Sequence, residues 1–340
     1  MSALRGEQPD AVPIMLHNFL LAIHEAKRTH REYRESPRVI ADTLIQAVET
    51  YHYDGILVDI DTATLAGAVG VPVDYPENQP ARCEAPSLTD LSAVADLGMP
   101  RIAESPRIQV WLEAVRLLRA HFGNEILIRG NCDQAPFSLA SMMRTPEVWM
   151  MDLLDEDSEE AVQKLLAYCA QATTQFVELM AQAGAHIVSN GDSPAGPELI
   201  SPDMYRRFAL PGERQVVAAA HKAGMPYVLH ICGKTDAILA DMVSTGADAL
   251  ELDYRTDLQK IRAALDGRAT FIGNIDPSGV LTFGTPELVA AKTRELLEQF
   301  AGVARFVLNA GCAIPAETPP ANLKAMIRTA RAFTGTPYPG

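Results

Sequence analysis

Short apolar runs that end in polar residues recur along this chain, each followed by a stretch of helical character. Eight of them stand out: AVPIMLHN from Ala11, DGILVDID from Asp54, EILIRGNCD from Glu125, AHIVSNGDS from Ala185, PYVLHICG from Pro226, DALELDY from Asp248, ATFIGNID from Ala269 and RFVLNAGC from Arg305. Near-continuous apolar runs suit strands buried on both faces of a parallel sheet. The gaps carry helix signals. A helix is expected from Ser36 as N-cap with Pro37 in its first turn, another from Ser201 to a stop at Gly224, and a third from Thr285 to Gly302. Eight strands alternating with helices predict an α/β protein, a (β/α)8 TIM barrel, with an open doubly wound sheet as the alternative. No glycine-rich dinucleotide fingerprint follows the first run, which favours the barrel. Residues from about 67 to 107 are rich in proline and polar side chains. They are read as a long loop insertion, a candidate lid, within a single barrel domain spanning 1–340.

With 48% hydrophobic and 21% charged residues, the 340-residue chain has ample material for a large core and no signature of disorder. Its 29 basic and 43 acidic residues leave a net charge of -14, which argues against a nucleic-acid partner. The start, MSALRGEQPDAVPIML, lacks the basic and apolar segments of a signal peptide, and no apolar run of about 18 residues occurs. A cytoplasmic protein with no membrane partner is expected. Five widely spaced cysteines, Cys83, Cys132, Cys169, Cys232 and Cys312, do not make a disulfide framework. Metal binding or catalysis is the better use for any special one.

In a barrel the reactive groups gather where strands end, because the loops there open on one face. The ends of these runs offer His17 and Asn18, Asp59 and Asp61, Arg129, Asn131 and Asp133, and Asn190 and Asp192. Further round come His230 and Cys232, Glu251 and Asp253, Asn274 and Asp276, and Asn309 and Cys312. For any single Asp or Asn, a helix cap or turn is the plainer reading. HICG is different. Residues i and i+2 of a strand share a face, so His230 and Cys232 aim at one point. Cys312, past the end of the eighth run, can reach them across the mouth, with Cys132 as a competing third ligand. One imidazole and two thiolates with an open fourth position form a catalytic zinc set.

At these residues the chain resembles the uroporphyrinogen decarboxylase superfamily. HICGKT, GADALELD, FIGNIDPSGVLTFGTPELV and LNAGCAIPAETPPANLKAMIRTAR carry the resemblance, strongest over about 180–335. NGDSPAGPELISPDMYRRFALP and NCDQAPFSLASMM add to it, and the zinc-dependent methylcobamide:coenzyme M methyltransferase branch is the nearest. The resemblance implies a uroporphyrinogen-decarboxylase-like barrel with zinc on His230, Cys232 and Cys312. It also implies methyl transfer from a methylated corrinoid, brought by a corrinoid carrier protein, to a small thiol acceptor. Asp253 is expected at the fourth zinc position or orienting the site from behind it. His17, Asp59, Arg129, Asn190, Asp192 and Asn274 are expected to bind substrate or corrinoid. The decarboxylase branch carries an arginine-rich start where this chain has MLHNFLLAIHEAKR, with no arginine in that stretch before Arg28. Decarboxylation of uroporphyrinogen, with Asp59 or Asp61 on the pyrrole, is the rival activity, and a non-catalytic corrinoid- or tetrapyrrole-binding protein is the other alternative.

Overall fold

A computed structural model describes residues 1–334 and places a strand at each of the eight runs. They are β1 Met15–Leu16, β2 Gly55–Val58, β3 Leu127–Gln134 and β4 Ile187–Gly191, then β5 Tyr227–Ile231, β6 Ala249–Leu252, β7 Thr270–Ile275 and β8 Phe306–Ala310. The end of the expected 1–340 span, 335–340, lies outside the described residues. Neighbouring strands pair parallel in chain order, and a parallel bridge between Ile14 and Leu308 brings β8 back to β1. An open doubly wound sheet would leave two free edges; this one closes. β1 is short because Pro13 lacks an N–H, although its carbonyl still accepts from the Leu308 amide at 2.8 Å.

Alternate strand residues point inward, so the interior is built in layers. The lowest layer is apolar: Met15, Leu127, Ile187, Val228, Ala249, Ile272 and Val307, plugged by Ala3 and Leu4 of the short helix Ser2–Arg5. The Thr270 hydroxyl donates to the Ala3 carbonyl at 3.0 Å, and the Arg305 guanidinium donates to the Leu4 carbonyl, which pins that plug. Two residues further along the strands, the same inward positions hold Leu57, Arg129, His230, Glu251 and Asn309. The barrel therefore turns from oily floor to polar chamber within one layer.

The helices start where their caps predict. Ser36 accepts from the Val39 amide ahead of Pro37–Tyr51, and Thr285 does the same for Leu288 ahead of Pro286–Gln299. The helix expected unbroken from Ser201 is instead Pro202–Met204, a widened π turn Tyr205–Ala209 and then Leu210–Lys222. Pro211 has no amide hydrogen to return to the preceding turn, so the ladder slips there. Gly224, at φ 75°, follows its end as expected.

The segment expected as a loop from about 67 to 107 carries more structure than that. It contains the antiparallel pair Val73–Asp74 and Arg82–Cys83 and the tight turns Leu91–Asp96 and Ile102–Glu104. It ends earlier, because Pro106 sits in the first turn of the helix Pro106–Phe122. Arg144 clamps it by donating to the Leu88 and Thr89 carbonyls at 2.6 and 2.8 Å. Among the described residues no helix is long and apolar enough to cross a membrane.

Trp111 shows how the outer helices hold the strand ends in place. Fully buried against the edge of Phe176, it donates its indole N–H to the Val58 carbonyl at 3.1 Å, one residue before Asp59. Trp111→Phe removes that hydrogen bond and leaves space where the larger ring packed, and should lower stability by about 1–3 kcal/mol. Leu154→Ala, at a position 68% exposed, should stay within about 0.5 kcal/mol. Urea unfolding midpoints of the two variants check the contrast.

Candidate active site

His230 lies near the end of β5 and Cys232 just beyond it, on the same face, and Cys312 arrives two residues past β8. His230 Nε2 is 2.9 Å from Cys232 Sγ, the two sulfurs are 3.5 Å apart, and Cys312 Sγ is 3.9 Å from the imidazole nitrogen. A single small cation could reach all three with bonds of about 2.0–2.3 Å. They are the one such His/Cys/Asp/Glu group among the described residues. His230 Nδ1 faces the Glu251 main-chain carbonyl at 3.0 Å; a carbonyl can only accept, so Nδ1 carries a hydrogen and Nε2 is the ring nitrogen turned toward the thiols.

Both thiols depend on an adjacent glycine. Gly233 has φ 88°, and a Cβ there would lie 2.5 Å from a Glu198 carboxylate oxygen. At Gly311 a Cβ would meet the Tyr254 amide nitrogen at 2.8 Å, so glycine lets β8 pass close to the end of β6. The three donors polarise one another. The hydrogen bond from the Cys312 thiol is the main influence holding Cys232 well below the ordinary thiol range, against burial and with help from His230. The same contact, with burial, pushes Cys312 upward. Burial alone would lower His230, but the Cys232 thiolate and then Glu251 override it and raise the imidazole to about 9.

Glu251 sits directly behind this cluster. One carboxylate oxygen accepts from Arg129 at 2.7 Å, the other from the Asn309 amide at 2.6 Å, and His230 Nδ1 is 3.6 Å away. Burial opposes ionisation of Glu251, yet Arg129 and His230 hold its carboxyl down to about 2. Glu251 was visible as a polar strand end but not as a site residue. Counting by twos from the apolar floor, Ala249 to Glu251, would have found it.

A cavity of about 270 Å³ opens over these groups. Of the residues expected to bind substrate or corrinoid, His17, Asp59, Arg129 and Asn190 line it. His17 Nε2 meets Asp59 at 2.7 Å, and the imidazole stacks on Phe19. Asn190 has little left to offer a ligand, since it donates to the Cys132 and Gln134 carbonyls and accepts from the Tyr227 hydroxyl. Two expectations are corrected and a third is narrowed. Asp192 is fully buried and points away, accepting from the Ser138 amide and hydroxyl at 2.8 and 2.6 Å, so it caps a helix start. Asn274 lies outside the cavity lining and donates to the Asp253 carbonyl. Asp253 is outside the donor group, which leaves the supporting one of its two expected places: its carboxylate accepts from the Gly233 and Arg255 amides, both at 2.9 Å, and braces the loop behind Cys232. Cys132 is no competing ligand either: it is buried in the wall, its thiol 3.8 Å from the Gly130 carbonyl.

Asp61 and Asp133 also line the cavity, and their grouping was not foreseen. Asp133 has φ 60° and sits where the β3–β4 register shifts between Asn131 and Gln134, a bulge that re-aims its side chain. It accepts from the Leu65 amide and from Gln134. Only a break in strand alternation could have signalled this, and the sequence carries no mark of it.

Eight parallel strands with an apolar floor and reactive groups confined to the mouth at their C-terminal ends make this a barrel of the enzyme type. The chain belongs to the uroporphyrinogen decarboxylase (URO-D) family, which it matches over residues 1–333. It is 33% identical over 247 residues to the methylcobamide:CoM methyltransferase MtbA of Methanosarcina mazei, covering 73% of this chain and 69% of that one. It is 29% identical over 308 residues to the uroporphyrinogen decarboxylase of Streptomyces avermitilis, covering 86% and 80%. A solved methyltransferase from Methanosarcina mazei shares the fold, with a TM-score of 0.87 at 24% identity over 97% of this chain and 96% of that one.

The buried pair predicts a pH signature. Glu251→Gln leaves the Arg129 charge buried without its partner and should cost about 3 kcal/mol at neutral pH. With its folded carboxyl held down to about 2 against an ordinary 4.5, Glu251 contributes fully above pH 4.5, and the contribution fades as pH falls toward 2. Urea unfolding of the two proteins across that window should show the gap closing as the solution is acidified.

Proposed function

We propose that this chain moves a methyl group from a methylated corrinoid to a small thiol, with a zinc ion held by His230, Cys232 and Cys312. The convergence of one imidazole nitrogen and two thiols at the barrel mouth carries this reading. The relatives named methylcobamide:CoM methyltransferase support it. Zinc bound there would supply a Lewis acid that lowers the pKa of an incoming thiol, so that its proton passes to solvent at neutral pH. The net transfer breaks the bond between cobalt and methyl, with the electron pair staying on the corrinoid, and forms a bond between sulfur and methyl.

The chain's own residues perform the rest. The Glu251 carbonyl fixes the His230 tautomer, and the Ser193 hydroxyl accepts from the Cys232 amide at 3.3 Å, steadying the loop that carries the thiol. Phe19, Leu20 and Leu57 form the apolar part of the wall and limit water around the reacting sulfur. A chamber of about 270 Å³ is at the small end for ligand sites, which suits a short thiol. A corrinoid is several times larger and must be presented over the mouth, as a carrier protein would do.

Two outcomes follow. Purified protein should hold one zinc per chain by metal analysis, and Cys312→Ala should lose most of that zinc and the methylation of thiols by methylcobalamin while Cys83→Ala keeps both. Full zinc and full activity in Cys312→Ala would remove the assignment. Uroporphyrinogen should not be decarboxylated at a useful rate, because its many carboxylates need compensating positive charge inside the barrel. Arg129 is already committed to Glu251. Steady conversion to coproporphyrinogen, followed by chromatography, would reverse that conclusion.

A further inference from the structure

We infer that the thiol accepted by this chain carries a positively charged head group, an aminothiol rather than an anionic thiol such as a mercaptosulfonate. The inference rests on the methyl-transfer reading and concerns the wall of the same cavity formed by the ends of β2 and β3. Among the described residues lining the cavity, the ionisable groups besides the two thiols are Asp59, Asp61, Asp133 and Glu251 against Arg129, His17 and His230. Two of the carboxylates are spoken for. Glu251 is paired with Arg129 at 2.7 Å, and Asp59 with His17 at 2.7 Å. A metal ion on one imidazole and two thiolates adds no net charge for a dication. Asp61 and Asp133 therefore remain without an opposite charge inside the chamber.

Asp61 is also incomplete as a hydrogen-bonding group. Its Oδ1 accepts from the Ala63 and Thr64 amides and from the Thr64 hydroxyl, but its Oδ2 is buried with no partner among the described residues. The residue is only 2% exposed, so bulk water does not satisfy it. Arg34 approaches from behind; its Nε and Nη2 donate to the His30, Pro76 and Gln79 carbonyls, its Nη1 has no partner among the described residues, and the residue lines a neighbouring pocket, not this one. Burial raises both carboxyls, with repulsion from Asp59 adding at Asp61 and repulsion from Asp61 adding at Asp133, so an ammonium group seated between Asp61 and Asp133 is what would let both ionise. A sulfonate would meet uncompensated carboxylates in a confined space. Arg129 is the competing feature: its Nε and Nη1 have no partner, but its charge is spent on Glu251.

The test compares thiols that differ only in the head group: 2-aminoethanethiol, 2-mercaptoethanol and 2-mercaptoethanesulfonate, with the three-carbon amine and sulfonate as longer homologues. Zinc-loaded protein is assayed for kcat/KM with methylcobalamin, and binding is measured separately by calorimetry. The amine should exceed the sulfonate at least tenfold in both readouts at one spacer length or the other. Asp61→Asn and Asp133→Asn, checked for unchanged melting, should each shrink the amine-to-sulfonate ratio at least tenfold. Equal use of the two, or preference for the sulfonate, overturns the inference while leaving methyl transfer standing. Tenfold tighter binding of the amine with no methylation of any thiol supports the inference about the wall and removes the transfer reading instead.

Discussion

Arg129 and Glu251 meet 2.7 Å apart in the middle of the barrel, each side chain 2% exposed, and the polar chamber is assembled around that contact. Two unpaired charges could not be held there, because each would cost several kcal/mol to strip of water. Held together, they link β3 to β6, and the second Glu251 oxygen adds β8 through Asn309. The main-chain carbonyl of the same residue aligns His230 on β5. One residue thus ties four strands at the level where the apolar floor gives way to chemistry. A hydrophobic pair would pack as well but would neither hold Asn309 nor set a negative charge 3.6 Å from the imidazole.

The layer above is held by smaller devices. Gly233 supplies a left-handed turn at φ 88°, Gly311 lets backbone approach where any side chain would collide, and Asp253 braces the loop behind Cys232 by taking the Gly233 and Arg255 amide hydrogens. Asn190 spends both ends of its amide on the main chain of β3 and the hydroxyl of Tyr227. Asp253 and Asn190 stand at the mouth with their hydrogen-bonding groups already committed to the wall. Their polarity serves the rigidity of the strand ends, which is what keeps three donor atoms within reach of one another.

This explains which parts of the architecture could be read from the chain. Continuous apolar runs such as GILV at 55–58 can only be strands covered on both faces, so all eight positions were legible. His230, Cys232 and Cys312 were legible because strand parity and flanking glycines restrict where such side chains can point. Asp192 and Asn274 were misread because an acid or amide at a strand end looks alike whether it caps a helix or faces a ligand. Asp253 carries the same ambiguity. The π turn at 205–209 and the bulge that turns Asp133 arise from competition between neighbouring hydrogen bonds, which no short motif encodes. Glu251 was hidden for another reason: its importance comes from Arg129, 122 residues away.

The plug formed by Ala3 and Leu4 has a kinetic meaning. A chamber sealed below has a single doorway, shared by everything that enters or leaves. On the proposed chemistry, the small reactant must be seated before the bulky donor covers the opening, and the methylated product can depart only once the donor has withdrawn. Such a barrel is an ordered machine by construction. Its turnover would be paced by the lifting of a cover, not by the encounter of two freely exchanging partners.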